Sequence, residues 1–244
     1  MEPKRQLENE QLGYSDTPIL PASGYHVHDG TRPQMPIVVA QPGQIPSDAI
    51  QLFDGSSLDN WVNVGSGEPC GWTLALSDAM EVVPGVGDIQ SKQEFGSCQL
   101  HVEFMSPDLV KGDGQGRGNS GVFLMGCYEI QVLDNWENPT YPDGTVGGIY
   151  GQTPPLVNPI RKPGEWNEFD ILWTAPVFEG EKLKSPAVVT VILNGVVQHH
   201  AVILDGPTEH KELASYTLHP SKGPVKLQDH GDLVRFRNIW IREL

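Results

Sequence analysis

The chain is short of cysteine, short of cations and free of long apolar runs, and each shortage narrows what it can be. Its three cysteines, Cys70, Cys98 and Cys127, match no zinc spacing and leave at least one thiol unpaired. Each lies among small or apolar residues, so structural thiols are expected, with one disulfide left open for an exported protein. Lys and Arg number 16 against 31 Asp and Glu, a net charge of −15. That field repels polyanions, so nucleic acid and anionic membrane are poor partners. No stretch approaches the roughly 18 apolar residues of a membrane span. The start, Met1-Glu-Pro-Lys-Arg5, lacks the apolar core of a signal peptide. Helix signals are equally scarce. Only Thr208 to Tyr216 could make two turns, behind an imperfect capping pattern. There is no Gly-x-Ser-x-Gly elbow, His-Glu-x-x-His helix or dinucleotide fingerprint, which argues against serine hydrolases, zincins and Rossmann oxidoreductases together.

What the chain does have is punctuation. Gly 27 and Pro 21 make up about 20% of its 244 residues, against an average near 12%. Residues 1–47 carry a proline every few positions, from Thr17-Pro-Ile-Leu-Pro21 through Arg32-Pro-Gln-Met-Pro36 to Pro46. Proline lacks the ladder donor, so this stretch reads as an extended arm. Residues 48–244 read as one folded domain, long enough to bury a core without disulfides.

From Ile50 the chain turns to short strands. Ile50-Gln-Leu-Phe53 ends at the turn pair Asp54-Gly55, and Gln99 to Met105 alternates polar and apolar with period two. Gly121 to Met125, Tyr128 to Leu133, Phe169 to Trp173 and Leu233 to Ile241 are further strands. Val188 to Leu193 and Val196 to Val202 flank Asn194-Gly195, the strongest hairpin signal in the chain. Many short strands at regular spacing imply an all-β sandwich or barrel.

Polar residues of shared parity mark strand faces turned away from a core. Gln99, His101 and Glu103 share one face, Glu129 and Gln131 a second, and Arg235 and Arg237 a third. Such faces are either solvated or, if the fold brings them onto one surface, the shared lining of a single sugar-sized hollow, and the second arrangement is the one expected here. Residues two apart on a strand sit about 6.6 Å from each other, so Glu129 and Gln131 can touch one ligand. In Leu227-Gln-Asp-His-Gly-Asp232 an imidazole beside two carboxylates is either a poised acid or base, with His230 as its centre, or a turn in which Asp229 caps amides. Gly112 to Gly121 reads as a flexible rim loop, whose Asn119 and Ser120 bond a sugar hydroxyl or cap the turn. His26-Val-His28-Asp29 offers metal-type donors without a third spaced ligand. Trp72, Trp173 and Trp240 sit in apolar strands and are expected in the core, whereas Trp136 is expected to be exposed near the site. Trp61 and Trp166 fit either place.

Eight motifs occur in the order characteristic of one family. They are Leu52-Phe-Asp-Gly-Ser-Ser-Leu-Asp-Asn-Trp61, Asn119-Ser-Gly121, Tyr128-Glu-Ile-Gln-Val-Leu-Asp134, Gly148-Ile-Tyr150, Gly164-Glu-Trp-Asn167, Leu193-Asn-Gly195, Leu227-Gln-Asp-His230 and Phe236-Arg-Asn-Ile239. In them the chain resembles the 3-keto-disaccharide hydrolase domain family over roughly residues 50–244. The resemblance implies a concanavalin A-like jelly-roll sandwich of two antiparallel sheets, here preceded by the arm. It implies a carbohydrate substrate oxidised at C3, and a periplasmic or extracellular location, with the leader absent from this chain.

Laminarinase-type glucanases of that fold carry Glu-x-Asp-x-x-Glu on a strand. Glu129, Gln131 and Asp134 fall at those spacings with two replacements, which weakens an ordinary two-carboxylate hydrolysis. A 3-keto group instead acidifies the C2 proton, so β-elimination followed by hydration can cleave the glycoside. The catalytic candidates are Glu129, Asp134 and His230. The substrate-binding candidates are Gln131, Asn119, His101, Glu103, Tyr150, Trp136 and Arg237. No cofactor is expected; a divalent cation could act as Lewis acid, but no clear ligand set is visible. The competing reading is a non-catalytic, lectin-like carbohydrate-binding module, because one fold serves both roles.

Overall fold

The computed structural model describes residues 12–244, so the first eleven residues of the expected arm lie outside it. The described residues fall into two separate compact units, 12–40 and 41–244. Within the first, the described chain folds back on itself through an Ile19–His26 bridge, with the Tyr14 amide donating to the His28 carbonyl at 2.9 Å. Two side chains of the His-Val-His-Asp motif, His26 and Asp29, are engaged locally. His26 Nδ1 meets the Thr17 carbonyl, and Asp29 accepts from the Thr31 amide and hydroxyl.

The second unit is a β-sandwich. Its strands, in chain order, are β1 (Ile50–Phe53), β2 (Trp61–Asn63), β3 (Thr73–Ala75), β4 (Ala79–Glu81), β5 (Ile89–Phe95), β6 (Cys98–Met105), β7 (Ser120–Leu124) and β8 (Tyr128–Val132). They continue with β9 (Asn167–Thr174), β10 (Val177–Glu179), β11 (Lys182–Ser185), β12 (Val188–Leu193), β13 (Val196–Ile203), β14 (Gly223–Leu227) and β15 (Arg235–Glu243). Eight of them form one sheet in the order β13-β12-β9-β6-β15-β4-β3, with β1 also paired to β15. Five form the other in the order β2-β5-β14-β7-β8, and β10–β11 is a separate hairpin. All pairings are antiparallel. Among the described residues the only helical elements are two short 3₁₀ turns, Gly114–Gly116 and Pro142–Gly144, and no helix is long and apolar enough to cross a membrane.

Period-two alternation builds the core. Leu100, Val102 and Phe104 of β6 and Phe169, Ile171 and Trp173 of β9 are buried on one face of the large sheet. They belong to one core cluster with Val122 and Leu124 of β7 and Tyr128, Ile130 and Val132 of β8. The Tyr128 and Trp173 rings, 4.9 Å apart, join the two sheets. The Asn194-Gly195 hairpin forms as expected, both residues at positive φ, 52° and 76°. Trp72 and Trp173 lie in the core, and Trp61 joins them with its ring N–H on the Leu52 carbonyl at 3.0 Å.

Three expectations are corrected. Thr208 to Tyr216 is irregular rather than helical, because it crosses the sheet edge on side-chain anchors such as Thr208 Oγ1, which accepts the Glu129 amide at 2.9 Å. Trp240 is buried outside the core cluster, stacked on the His101 ring at 5.1 Å on the outer face of the large sheet; a bulge between Arg237 and Trp240 shifts its parity. The polar faces read from β6, β8 and β15 are not one surface. β6 and β15 belong to the large sheet and β8 to the small one, so their core-averted sides look in opposite directions.

All three cysteines are free thiols. Burial pushes Cys98 up to about 12 and Cys127 up to about 11, which keeps both protonated and unreactive.

Candidate active site

The small sheet's outer face carries the site. Tyr128, Ile130 and Val132 point into the sandwich, so Glu129 and Gln131 between them point out. The segment after the Pro142–Gly144 turn docks along the free edge of β8. Gly147 donates to the Gln131 carbonyl at 2.8 Å and Tyr150 to the Glu129 carbonyl at 3.3 Å, while Gln131 donates to Gly148 at 3.0 Å. This edge pairing walls in both side chains. The result is a hollow of about 380 Å³ lined by Glu129, Gln131, Asn119, Tyr150 and His230, together with Gln115, Phe123, Thr208, His210 and Gln228.

Glu129 is the only carboxylate on that lining among the described residues, and it is 5% exposed. Burial pushes its pKa up to about 8; Lys226 opposes the rise, and Asp88 adds to it. Lys226 is itself engaged, 3.4 Å from Asp88 and over the Phe123 ring at 3.7 Å. The Glu129 carboxyl has no hydrogen-bond partner among the described residues, so a buried acid of adjustable charge faces the hollow. Gln131 Nε2 donates to Gln115 Oε1 at 3.1 Å and to the Gly144 carbonyl at 3.3 Å. Those acceptors fix the amide's orientation and leave Gln131 Oε1 buried without a partner, a free acceptor for a ligand hydroxyl. The Asn119 amide group donates to the Gln115 carbonyl at 2.7 Å, and its backbone N–H to Asp232 at 2.8 Å.

The Tyr150 hydroxyl lies 2.8 Å from that of Tyr141 and 3.2 Å from His210 Nδ1. Burial first, then the neighbouring phenol, raises its pKa, so it stays a proton donor. In the Leu227–Asp232 motif the two alternatives divide by residue. Asp229 accepts from the Gly85, Gly87 and Gly231 amides at 2.7, 2.9 and 3.0 Å, as a turn cap would. His230 is exposed and faces the hollow.

Five of the ten candidate residues therefore come together: Glu129, Gln131, Asn119, Tyr150 and His230. The other five do not. Asp134 is 1% exposed and bound to Arg117 Nε at 2.7 Å, and its other oxygen accepts the Trp136 amide at 3.0 Å. It borders a different and larger cavity, of about 610 Å³. The strand ends at Val132, so the Glu-x-Gln-x-x-Asp spacing carries Asp134 off the face that Glu129 occupies. Trp136 sits beside that ion pair, under Lys162 at 5.5 Å.

His101, Glu103 and Arg237 form an ion network on the large sheet's outer face. His101 Nδ1 is 2.8 Å from Asp170, and Glu103 takes Arg237 at 2.6 Å and Asn238 at 2.8 Å. Burial works against charge on His101, but Asp170 and Glu103 outweigh it and raise the ring to about 9. Burial likewise opposes the Glu103 charge, and His101, Asn238 and Arg237 overcome it, lowering the carboxyl to about 2. Arg237 also covers Trp166 at 4.1 Å, leaving that ring no open face toward the arginine side. These satisfied groups brace a sheet.

His210, Gln115 and Thr208 are hollow residues that sequence reasoning missed. His210 lay within the stretch read as helix, and nothing in its local sequence signals proximity to Glu129.

Comparison with known proteins gives a consistent picture. Residues 48–242 match the family described as 3-keto-alpha-glucoside-1,2-lyase-like domain. The chain is 25% identical over 238 residues to a 3-keto-disaccharide hydrolase of Bacteroides thetaiotaomicron, a match covering 82% of this chain and 81% of that protein. A crystal structure of a candidate glycosyl hydrolase from Parabacteroides distasonis superposes with a TM-score of 0.84 at 42% identity, covering 93% of this chain and 100% of that one. A second candidate glycosyl hydrolase from the same organism matches with a TM-score of 0.57 at 25% identity, over 80% of this chain and 99% of that one.

Proposed function

Since the chain belongs to the 3-keto-alpha-glucoside-1,2-lyase-like family, we propose that it is a carbohydrate-active enzyme that cleaves 3-keto-glycosides by elimination across C1–C2 followed by hydration. The observation that carries this reading is the solitary, buried Glu129 with its pKa raised to about 8. Ordinary glycoside hydrolysis needs two carboxyl groups flanking one bond. The hollow offers one, and Asp134 is tied to Arg117 elsewhere. A single base of raised pKa suits removal of a carbon-bound proton, since a base is most effective when its pKa lies near the working pH.

The steps balance as follows. Ionised Glu129 takes the C2 proton, made acidic by the C3 carbonyl. The C–H electrons become the C1–C2 double bond as the bond from C1 to the leaving oxygen breaks. Tyr150, hydrogen-bonded to His210, gives that oxygen a proton. His230 donates to the C3 oxygen while negative charge develops there, and Gln131 Oε1 accepts a sugar hydroxyl. Water then adds: its oxygen bonds to C1, its proton returns to Tyr150, and Glu129 returns a proton to C2. The net reaction is hydrolysis. As implied by the family resemblance, we expect the protein to work outside the cytoplasm.

The test is incubation with 3-keto-trehalose beside trehalose, in deuterated solvent. Cleavage of the keto sugar alone, with deuterium at C2 of the product, is expected. Glu129→Gln should lower kcat by at least about a hundredfold. Cleavage without deuterium at C2 would sink the elimination route. Binding of both sugars with turnover of neither would instead mark a lectin-like module.

A further inference from the structure

We infer that a second chamber beside the Glu129 hollow holds the leaving half of the substrate and selects an uncharged sugar ring over an anionic one. This rests on the proposed cleavage of 3-keto-glycosides. The chamber, of about 500 Å³, shares Tyr150 and His210 with the hollow, so the two spaces adjoin at that pair. A sugar seated against Glu129 must direct its C1 substituent into adjoining space. Here that space opens past the Tyr150–His210 pair, whose hydroxyl and ring nitrogen are 3.2 Å apart.

Tyr141 supplies a platform for that second ring. It is 45% exposed, so its aromatic surface is open to a ligand. Yet it is held: a Cβ built on Gly144 would lie 2.0 Å from Tyr141 Cε2, which shows the ring resting against the glycine. Its hydroxyl meets that of Tyr150 at 2.8 Å. The carbonyl of the same Gly144 accepts Gln131 Nε2 at 3.3 Å and Gln115 Nε2 at 2.9 Å in the hollow. One 3₁₀ turn, Pro142–Gly144, thus fixes both the phenol face of the chamber and the amides of the hollow. A rigid aromatic face gives large apolar contact at little entropic cost and suits the C–H face of a pyranose. Leu213, 93% exposed on the same lining, adds apolar surface.

Charge sets the selectivity. The chamber carries Asp143, Glu209 and Glu212 against Lys211. A carboxylate or phosphate on the leaving group meets that excess negative charge, and like-charge juxtaposition is a common means of rejecting a ligand.

The experiment compares kcat/KM on three substrates: methyl 3-keto-α-glucoside, a neutral 3-keto-disaccharide, and the disaccharide whose leaving sugar is a uronic acid. Tyr141→Ala should lower kcat/KM for the neutral disaccharide about five- to tenfold more than for the methyl glycoside, and Tyr141→Phe should recover most of that difference. Glu209→Gln with Glu212→Gln should raise the uronic acid substrate several-fold relative to the neutral one. Ratios between substrates are insensitive to the fraction of each variant that folds. Equal losses on methyl glycoside and disaccharide, or equal use of neutral and uronic leaving sugars by the parent enzyme, would overturn the subsite while leaving the cleavage reading intact. Turnover of none of the three by the parent enzyme would overturn the cleavage reading, and the subsite with it.

Discussion

Gly121 and Glu129 lie on paired strands so close together that a Cβ at position 121 would sit 2.6 Å from Glu129 Oε1. The absent side chain is the space that the carboxyl occupies. Phe123 Cε2, 2.8 Å from the same point, closes the other side. The glycine's backbone is ordinary strand, so its lack of a side chain serves the site rather than a turn.

Gly121→Ala should therefore displace the carboxyl rather than break the sheet. Both clashing atoms belong to side chains rather than backbone, so the expected stability loss is that of modest overpacking, about 1–3 kcal/mol. A misplacement of this size should still lower kcat on a 3-keto-glycoside by about a hundredfold. Kinetics beside thermal unfolding of the same variant check the contrast; equal loss of both would mean that the glycine serves the fold.

The raised pKa of Glu129 has a signed consequence for stability. The unfolded carboxyl loses its proton near its model value of 4.5, whereas the folded one keeps it until about 8. Between those values the folded state binds the extra proton, so this residue's contribution to stability falls as pH rises from about 4.5 to about 8 and then levels off. Glu129→Gln should raise the unfolding temperature at pH 8.5 and leave it nearly unchanged at pH 4. If Glu129 is the base, kcat/KM of the parent should climb with pH and flatten above about 8.

His101 should behave in the opposite sense. Its folded pKa of about 9 lies above the model value of 6.5, so its ion pairs stabilise the fold fully at low pH and lose that contribution as pH rises through about 9. His101→Gln should cost about 1–3 kcal/mol at pH 6 and less at pH 10. Catalysis should be unaffected, because the residue lies on the other sheet. Denaturant titrations at the two pH values test this, and a lost kcat would contradict the placement.

Asp134 separates structural from catalytic carboxylates. Its side chain is 2% exposed and that of Arg117 14%, so removing one partner strands a buried charge. Asp134→Ala should cost about 3–5 kcal/mol, and the double variant Asp134→Leu with Arg117→Met markedly less. Residual activity of the double variant on a 3-keto-glycoside is the deciding measurement. Retention excludes Asp134 as the acid, whereas complete loss in a folded protein would restore it.

Much of the fold was legible because alternation is local. The β6, β7, β8, β9, β12, β13 and β15 strands each announce themselves within eight or nine residues, and the Asn194-Gly195 turn fixes one register. The strands that escaped are short or carry misleading residues. Ile89–Phe95 has three consecutive exposed positions, and Gly223–Leu227 contains Pro224. Pro224 is tolerated because it pairs with Glu94 of β5, while β14 meets β7 only at Lys226 and Leu227. Within the site, Glu129 and Gln131 share a strand, and so their common orientation was readable. His210 joins them from a segment with no periodicity.

The sequence by itself determined which side of the regular strands is polar, where the Asn194-Gly195 hairpin turns, and that Glu129 and Gln131 point the same way, since all of these follow from a two-residue repeat and nearest neighbours. Tertiary structure alone decided which polar faces belong to the same surface. Parity along a strand carries no information about which sheet the strand joins; long-range pairing placed β6 and β15 on one side of the core and β8 on the other. That choice turned His101, Glu103 and Arg237 into a brace and left Glu129 as the lone buried acid of the hollow.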